Sequence, residues 1–253
     1  MEQKIFIEQK KFASSPAKQK TNPYIQQIQT LKPWVFSFQE PPPQNWEKIF
    51  AKKAPLALDL GCGAGNFLTH AAELRSDYQW LGMDVRYKRL VKATLKARKK
   101  GLENFRFIQD KVEKINHWFP SESLAFCSIQ FPDPWPKKKQ QKNRFLTVPF
   151  AKNLFQSLEK GACVFVKSDH EEYGHFAFEN FLSTHLWEVV VPILSSHKEP
   201  MPDFQNFLIS NPFLGEPAEK KEALPLKKFW TEFEAMFCHE GLPIYFFCLR
   251  RPK

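Results

Sequence analysis

Asp133 stands between two prolines at the end of an apolar run, LAFCSIQF (Leu124 to Phe131), and cations follow it at once. Lys137, Lys138, Lys139, Lys142 and Arg144 all fall within FPDPWPKKKQQKNR. A carboxylate on a proline-stiffened turn beside a cationic loop suits chemistry on a small group carried by a polyanion, and nucleic acid is the polyanion this points to. A second constellation lies upstream. The run LALDL carries Asp59 near its end and turns through Gly61, Cys62, Gly63, Ala64 and Gly65 into a helical pattern; the next apolar run ends at Asp84, 19 residues after Gly65. Glycines let a backbone approach a ligand closely and adopt positive φ. An acid at the end of the second strand can accept hydrogen bonds from both hydroxyls of an adenosine ribose.

Two cofactors compete for such a turn. A dinucleotide fingerprint wants G-x-G-x-x-G, but Asn66 occupies the position of the third glycine, and the phosphate-cradling G-K-[ST] is absent. The form D-x-G-x-G-x-G suits a cofactor without phosphates, whose cationic amino-acid end meets Asp59 directly or through water. That describes S-adenosylmethionine. Asp110, after FRFIQ, sits where a side chain can bond an adenine amino group; a strand-end turn role fits it equally.

Positive charge is clustered. The net charge is +10, and residues 86–100 hold eight basic and no acidic residues. Residues 137–144 add five more, and the first 34 residues carry six lysines against two glutamates. Each cluster alone reads as a solvated face; three together favour a polyanionic partner. The five cysteines are odd in number, widely spaced and without C-x-x-C, which suits a reducing compartment and argues against disulfides or a zinc site. His170 and His175 are five apart, off a common helix face, so no metal is expected. No apolar run is long enough to span a bilayer, and the first residues lack a secretory signal, so the expected location is cytoplasmic.

The elements that must hold these residues read as alternating strands and helices. Strands are expected at 56–60, 78–85, 105–109, 124–131, 162–168, 186–193 and 243–251, separated by helical stretches at about 66–74, 86–100, 148–158, 171–185 and 227–240. Tyr87, Leu90, Val91 and Leu95 mark the expected buried face of the second helix. The pattern predicts an α/β, Rossmann-like, doubly wound and mainly parallel sheet of seven strands with helices on both faces. Ligand sites then fall at the carboxyl ends of the early strands. Residues 1–44 read as a basic, partly disordered arm, residues 45–253 as the domain, and about 195–226 as an irregular proline-rich insertion.

At this point the chain resembles the bacterial tRNA (guanine-N7)-methyltransferases, from about Asn45 to Arg250. The resemblance is carried by LDLGCGAGNF, LGMDVR, FPDPWPKKKQQKNRFLTVPF, KSDHEEY and TEFEAMFCHEGLPIY. It implies a class I methyltransferase fold and methylation of guanine 46 in the tRNA variable loop. By position, Asp59, Gly61, Gly63, Asp84, Asp110 and Asp133 are implied to contact S-adenosylmethionine, with Asp133 also the active-site residue. Lys137, Asp169, Thr231, Glu232, Phe233 and Glu234 are implied substrate contacts, and Lys139, Lys142 and Arg144 RNA contacts. The chain also departs from the family. Asp59 replaces a frequent glutamate, and Gln140, Gln141 and Asn143 interrupt a strip usually richer in arginine and histidine, which is expected to weaken its phosphate grip.

Several of these residues have plainer readings. Asp133 can be a turn residue between prolines, Trp135 a packing anchor, and Asp169 the N-cap of the helix after it. Thr231 and Glu234 have the spacing of a capping box. Two other functions stay open: a methyltransferase acting on another RNA or an exocyclic amine, and a non-catalytic RNA-binding protein on the same scaffold. The expected partner is tRNA, with the chain a monomer or homodimer.

Overall fold

Seven of the strands expected from the apolar runs form, and an eighth joins them at the edge of the sheet. The computed structural model describes residues 23–43, 45–50, 52–196 and 231–253. The lysine-rich residues 1–22, almost all of the proline-rich stretch and the expected start of the last helix lie outside the described residues. In chain order the elements are α1 (Pro23–Thr30), β1 (Val35–Ser37), β2 (Leu56–Leu60), α2 (Asn66–Leu74), β3 (Gln79–Met83), α3 (Tyr87–Lys99), β4 (Phe105–Gln109), α4 (Ile115–Trp118), β5 (Leu124–Gln130), α5 (Val148–Ser157), β6 (Leu158–Ser168), α6 (Glu171–Leu182), β7 (Glu188–Ser195), α7 (Glu232–His239) and β8 (Tyr245–Arg250).

The sheet order is β1-β4-β3-β2-β5-β6-β8-β7, so the expected seven strands become eight. All neighbours are parallel except β8, which runs antiparallel between β6 and β7. Every residue of β2, β3 and β4 is buried, as expected of parallel strands covered on both faces. One apolar cluster joins Ile28 of α1, Phe67 and Leu68 of α2, and Leu90 and Val91 of α3 to one face. The other joins Ile115 and Trp118 of α4, Phe150 and Leu154 of α5, and Phe181 of α6 to the opposite face. Among the described residues, no helix is long and apolar enough to cross a membrane.

The added strand is β1, which pairs Val35 with Phe107 and Ser37 with Gln109 of β4. It lies in the stretch that reads as arm in the sequence. Trp34 stacks on Phe105 with centroids 5.0 Å apart, and the Arg106 guanidinium lies 4.6 Å from the Trp34 ring. Ile28 and Leu31 are buried beside them. Two other boundaries differ from expectation. β6 starts at Leu158, which pairs with Leu124 before a register shift. In α3 the buried face runs through Leu90, Ala93, Thr94 and Ala97, leaving Leu95 exposed.

Candidate active site

The sheet order reverses between β2 and β5: from β2 the chain builds outward through β3, and from β5 it builds the other way through β6. Doubly wound sheets hold ligands at the carboxyl ends of strands at such a point. Here those ends carry Asp59 and Leu60 on one side and Gln130 on the other.

The glycine turn leaves β2 under close control. The amides of Gly61 and Cys62 donate to Met83 O at 2.8 and 3.1 Å, fixing the turn to the end of β3. Gly63 N donates to Asp84 Oδ2 at 3.0 Å, while Asp84 Oδ1 accepts from Arg86 N at 2.7 Å. Asp84 therefore ties the turn to the start of α3, and each of its oxygens keeps a lone pair for a ligand. From α3, Lys96 Nζ reaches back to Ala64 O at 3.0 Å and to Asn66 Oδ1. Gly65 has a φ of +68°, and a Cβ there would sit 2.8 Å from the Ala93 side chain, so any other residue is strained and must displace α3 or α2. A Cβ on Gly61, at φ +72°, would meet nothing within 4 Å. That open space is a cradle where a ligand can lie directly against the backbone.

Two adjoining clefts share Gly61, Arg89, Gln130 and Phe131. One, of about 330 Å³, is lined by Asp59, Gly63, Lys88, Lys92, Thr231 and Phe233 among others. The other, of about 230 Å³, is lined by Asp84, Val85, Val112, Asp133, Trp135 and Phe145 among others. A larger concavity of about 610 Å³ lies near Trp46, Pro120 and Glu159, towards the start of β2. Its Glu47 and Glu122 are paired with Lys53 and Arg251, and it has no glycine cradle. The glycine turn and the strand-end carboxylates Asp59, Asp84 and Asp133 lie in the smaller pair.

Within this pair of clefts the carboxylates differ by burial. Asp59 is 1% exposed and accepts from Ser128 Oγ at 2.6 Å. Burial pushes its pKa up to about 7, the Ser128 hydrogen bond pulls the other way, and the nearby Asp84 charge adds to the rise. Asp133, by contrast, has a side chain 65% exposed, with Arg86 Nη2 3.7 Å from its Oδ2. Its turn is bracketed by two bulky residues at positive φ, Phe131 at 51° and Trp135 at 45°. Such backbone is strained in a non-glycine residue and persists where the surroundings enforce it. Phe131 N donates to Lys167 O at 2.9 Å, and its ring packs 6.2 and 5.6 Å from Phe233 and Phe237 of α7. Half-buried Asp169 follows β6; burial raises its pKa first, and the charge of Asp133 contributes in the same direction.

The remaining expected site residues fall in different places. Asp110 is buried, its carboxylate turned onto Lys111 N at 2.8 Å and Trp118 Nε1 at 2.9 Å, so Val112 and Glu113 line the cleft in its stead. Lys137, Lys139 and Lys142 are exposed on or beside the short 3-10 turn Lys138–Asn143. Arg144, expected in the same strip, is buried. Thr231 is the N-cap of α7, its Oγ1 accepting from Glu234 N at 2.9 Å. The buried Glu234 carboxylate meets Lys167 Nζ at 2.7 Å, tying α7 to the end of β6. Glu232 and Phe233 are exposed and line the first cleft. The N-cap of α6 is His170, not Asp169, with Nδ1 accepting from Tyr173 N. Sequence reasoning missed Arg86, Lys88, Arg89 and Lys92 as cleft residues; their only signal was the basic start of α3, which marks charge and not direction.

A Rossmann-like sheet with a phosphate-free glycine cradle at its switch point defines the class I methyltransferase architecture. Solved structures with the same fold include one described as an antibiotic-related methyltransferase, with TM-score 0.51 and 16% identity over 81% of this chain and 90% of that one. Another is the 16S rRNA methyltransferase KamB, with TM-score 0.54 and 12% identity over 82% and 93%. Residues 53–206 match the family model described as "Putative methyltransferase". A tRNA (guanine-N(7)-)-methyltransferase of Synechococcus sp. (strain JA-3-3Ab) is 30% identical over 81% of this chain and 84% of its own length. One from Cupriavidus pinatubonensis is 39% identical over 53% of each chain. The chain belongs to the tRNA (guanine-N(7)-)-methyltransferase family, and it is an enzyme of the methyltransferase class.

Proposed function

We propose that this enzyme transfers the methyl group of S-adenosylmethionine to N7 of a guanine in tRNA, at position 46 of the variable loop. The observation that carries the reading is the placing of Asp133. It is solvent-facing, on a strained turn, lining the cleft that adjoins the one holding Asp59, and it is followed in sequence by the exposed cations Lys137, Lys139 and Lys142. The family match supports the substrate class.

The residues present fit the cofactor. The Gly61 cradle admits a ligand against backbone, Asp84 offers lone pairs to ribose hydroxyls, and buried Asp59 suits an ammonium. When bound, S-adenosylmethionine supplies an electrophilic methyl on a sulfonium. Guanine N7 carries an in-plane lone pair and no proton, so no general base is needed at the moment of transfer. Asp133 acts by position and charge, holding the guanine edge and countering the positive charge that develops on the base. Asp169, close enough for Asp133 to shift its titration, is suited to accept from the guanine imino and amino groups. The 3-10 lysines contact the phosphate backbone and set the register of the tRNA. Incubation with methyl-labelled S-adenosylmethionine and unmodified tRNA, followed by nucleoside identification, tests the reading. Label in 7-methylguanosine is expected; label in another nucleoside, or none, would overturn it.

A further inference from the structure

Arg144 follows Lys142 in the basic strip, yet its side chain is only 2% exposed. Its Nε donates to Pro134 O at 2.8 Å, the carbonyl of the residue after Asp133. Its Nη1 donates to Glu172 Oε1, on the first turn of α6, at 3.0 Å. The guanidinium lies 5.1 and 5.3 Å from the ring centres of Tyr173 and Phe176 on the same helix. Gln141 Nε2 reaches the same Glu172 oxygen at 3.3 Å, and Asn180 Nδ2 holds Leu146 O at 3.1 Å. A buried cation is costly unless its surroundings compensate it. Pro134, Glu172 and the two rings compensate Arg144 through Nε, Nη1 and the guanidinium face while turning it away from solvent; its Nη2 is buried without a hydrogen-bond partner among the described residues.

We propose that Arg144 is a positioning residue, a clamp that locks the Asp133 turn onto α6, and not a phosphate contact. The inference rests on the methyltransferase reading above. Pro134 is already fixed in φ by its ring. Holding its carbonyl through Arg144 to α6 fixes the Pro134–Trp135 peptide against rotation, and with the proline ring this limits the turn that carries Asp133. A planar guanidinium can serve Pro134 and Glu172 at once because its donors diverge in a rigid fork; an ammonium on a flexible stem is a point charge and loses that geometry. The clamp also accounts for the persistence of left-handed Trp135 one residue further on, since Pro134 cannot relax without breaking the Arg144 bond. Charge in this loop thus divides by burial: Lys139 and Lys142 face the polyanion, and Arg144 faces the protein.

Two variants of the full chain separate clamp from phosphate contact. Arg144→Lys keeps the charge and removes the fork; Glu172→Ala removes the anchor and one negative charge. The clamp predicts that both lower kcat tenfold or more, with tRNA Kd and its salt slope within about twofold of the parent. Hydrogen exchange across residues 131–146 should quicken in both. A phosphate contact predicts the opposite for Glu172→Ala: the freed arginine binds tRNA more tightly and kcat holds. That result, or an Arg144→Lys variant with parental kcat and a shallower salt slope, would overturn the proposal. If Arg144→Lys fails to fold, the Glu172→Ala arm decides. Failure of the parent to make 7-methylguanosine would sink the functional reading alone, and the exchange measurement would still decide the clamp.

Discussion

Replacing Asp59 by asparagine should remove a proton from the cofactor-binding equilibrium, because the carboxyl is held near neutrality in the free protein. Asp59 lies in β2 with Gly82 of β3 on one side and Ser128 of β5 on the other. Burial raises its pKa to about 7, against the single compensating hydrogen bond from Ser128. The other groups in its field are Asp84, which raises it further, and the thiols of Cys62 and Cys127, both pushed well above their ordinary values mainly by burial and held neutral. At about pH 6 only roughly a tenth of Asp59 is ionised, and at about pH 7 roughly half. A ligand ammonium requires the ionised form, so its affinity should tighten about fivefold over that interval, or ~1 kcal/mol. Above about pH 8 the ligand's own α-amino group loses its proton, and affinity should fall again.

Isothermal titration of S-adenosylmethionine across this range should therefore give a bell-shaped affinity whose acid limb belongs to Asp59. Asp59→Asn should bind more weakly at the optimum and lose the acid limb while keeping the alkaline one. Stability supplies an independent check of sign. An acid whose folded pKa is raised favours the folded state while protonated, so that contribution is complete below about pH 4 and is lost as pH rises through about 7. The melting temperature of the ligand-free parent should decline over that window relative to Asp59→Asn. A pH-independent affinity in the parent, or an acid limb that survives in Asp59→Asn, would refute the reasoning.

Asp133→Asn should cut turnover by about 100-fold or more, as loss of a transition-state electrostatic contact does, with S-adenosylmethionine Kd within about threefold of the parent; near-normal turnover would remove Asp133 from its role. Binding of tRNA should weaken steeply with added salt, and Lys139→Ala and Lys142→Ala should each lower the slope of log K against log salt by about one; a flat salt response would remove these lysines from the interface. Gly65→Ala adds a Cβ 2.8 Å from Ala93 at a φ of +68°. It should cost about 2–4 kcal/mol in urea denaturation, from left-handed strain and overpacking together, and loosen cofactor binding as α2 shifts.

The strand, turn and helix that carry the proposed cofactor residues were legible in the sequence because their signals are local. A strand, a glycine turn, a helix and an acid nineteen residues on place Asp59, Gly61 and Asp84 by connectivity alone. The edge strand β1 was not, because three residues offer no alternation to read and its pairing with β4 is made across about seventy residues. Asp110 was read from its place at a strand end; its side chain turns to Trp118, which no sequence spacing announces. The burial of Arg144 was illegible for a related reason. Its neighbours in sequence are exposed lysines, but its burial is decided by Tyr173 and Phe176, some thirty residues away. Charge type is written locally, whereas the direction a long side chain takes is a tertiary property.

Burial also explains how one sheet edge can give similar carboxylates different work. Asp59 sits inside the strand layer, where losing water raises its pKa and disfavours its charged form unless a cation sits beside it. Asp84 spends one lone pair of each oxygen on Gly63 and Arg86, so its geometry is fixed before any ribose arrives. Among the described residues Asp133 has no such backbone ties, and it stands in solvent with Arg86 as its near cation. Its geometry must therefore be set by the turn that carries it, which is why the structure invests two strained residues, an aromatic contact to α7 and the Arg144 bond around one exposed side chain. On the proposed reading, a carboxylate that must meet a bulky base cannot be buried in advance. Rigidity in the chain beneath it takes the place of packing around it.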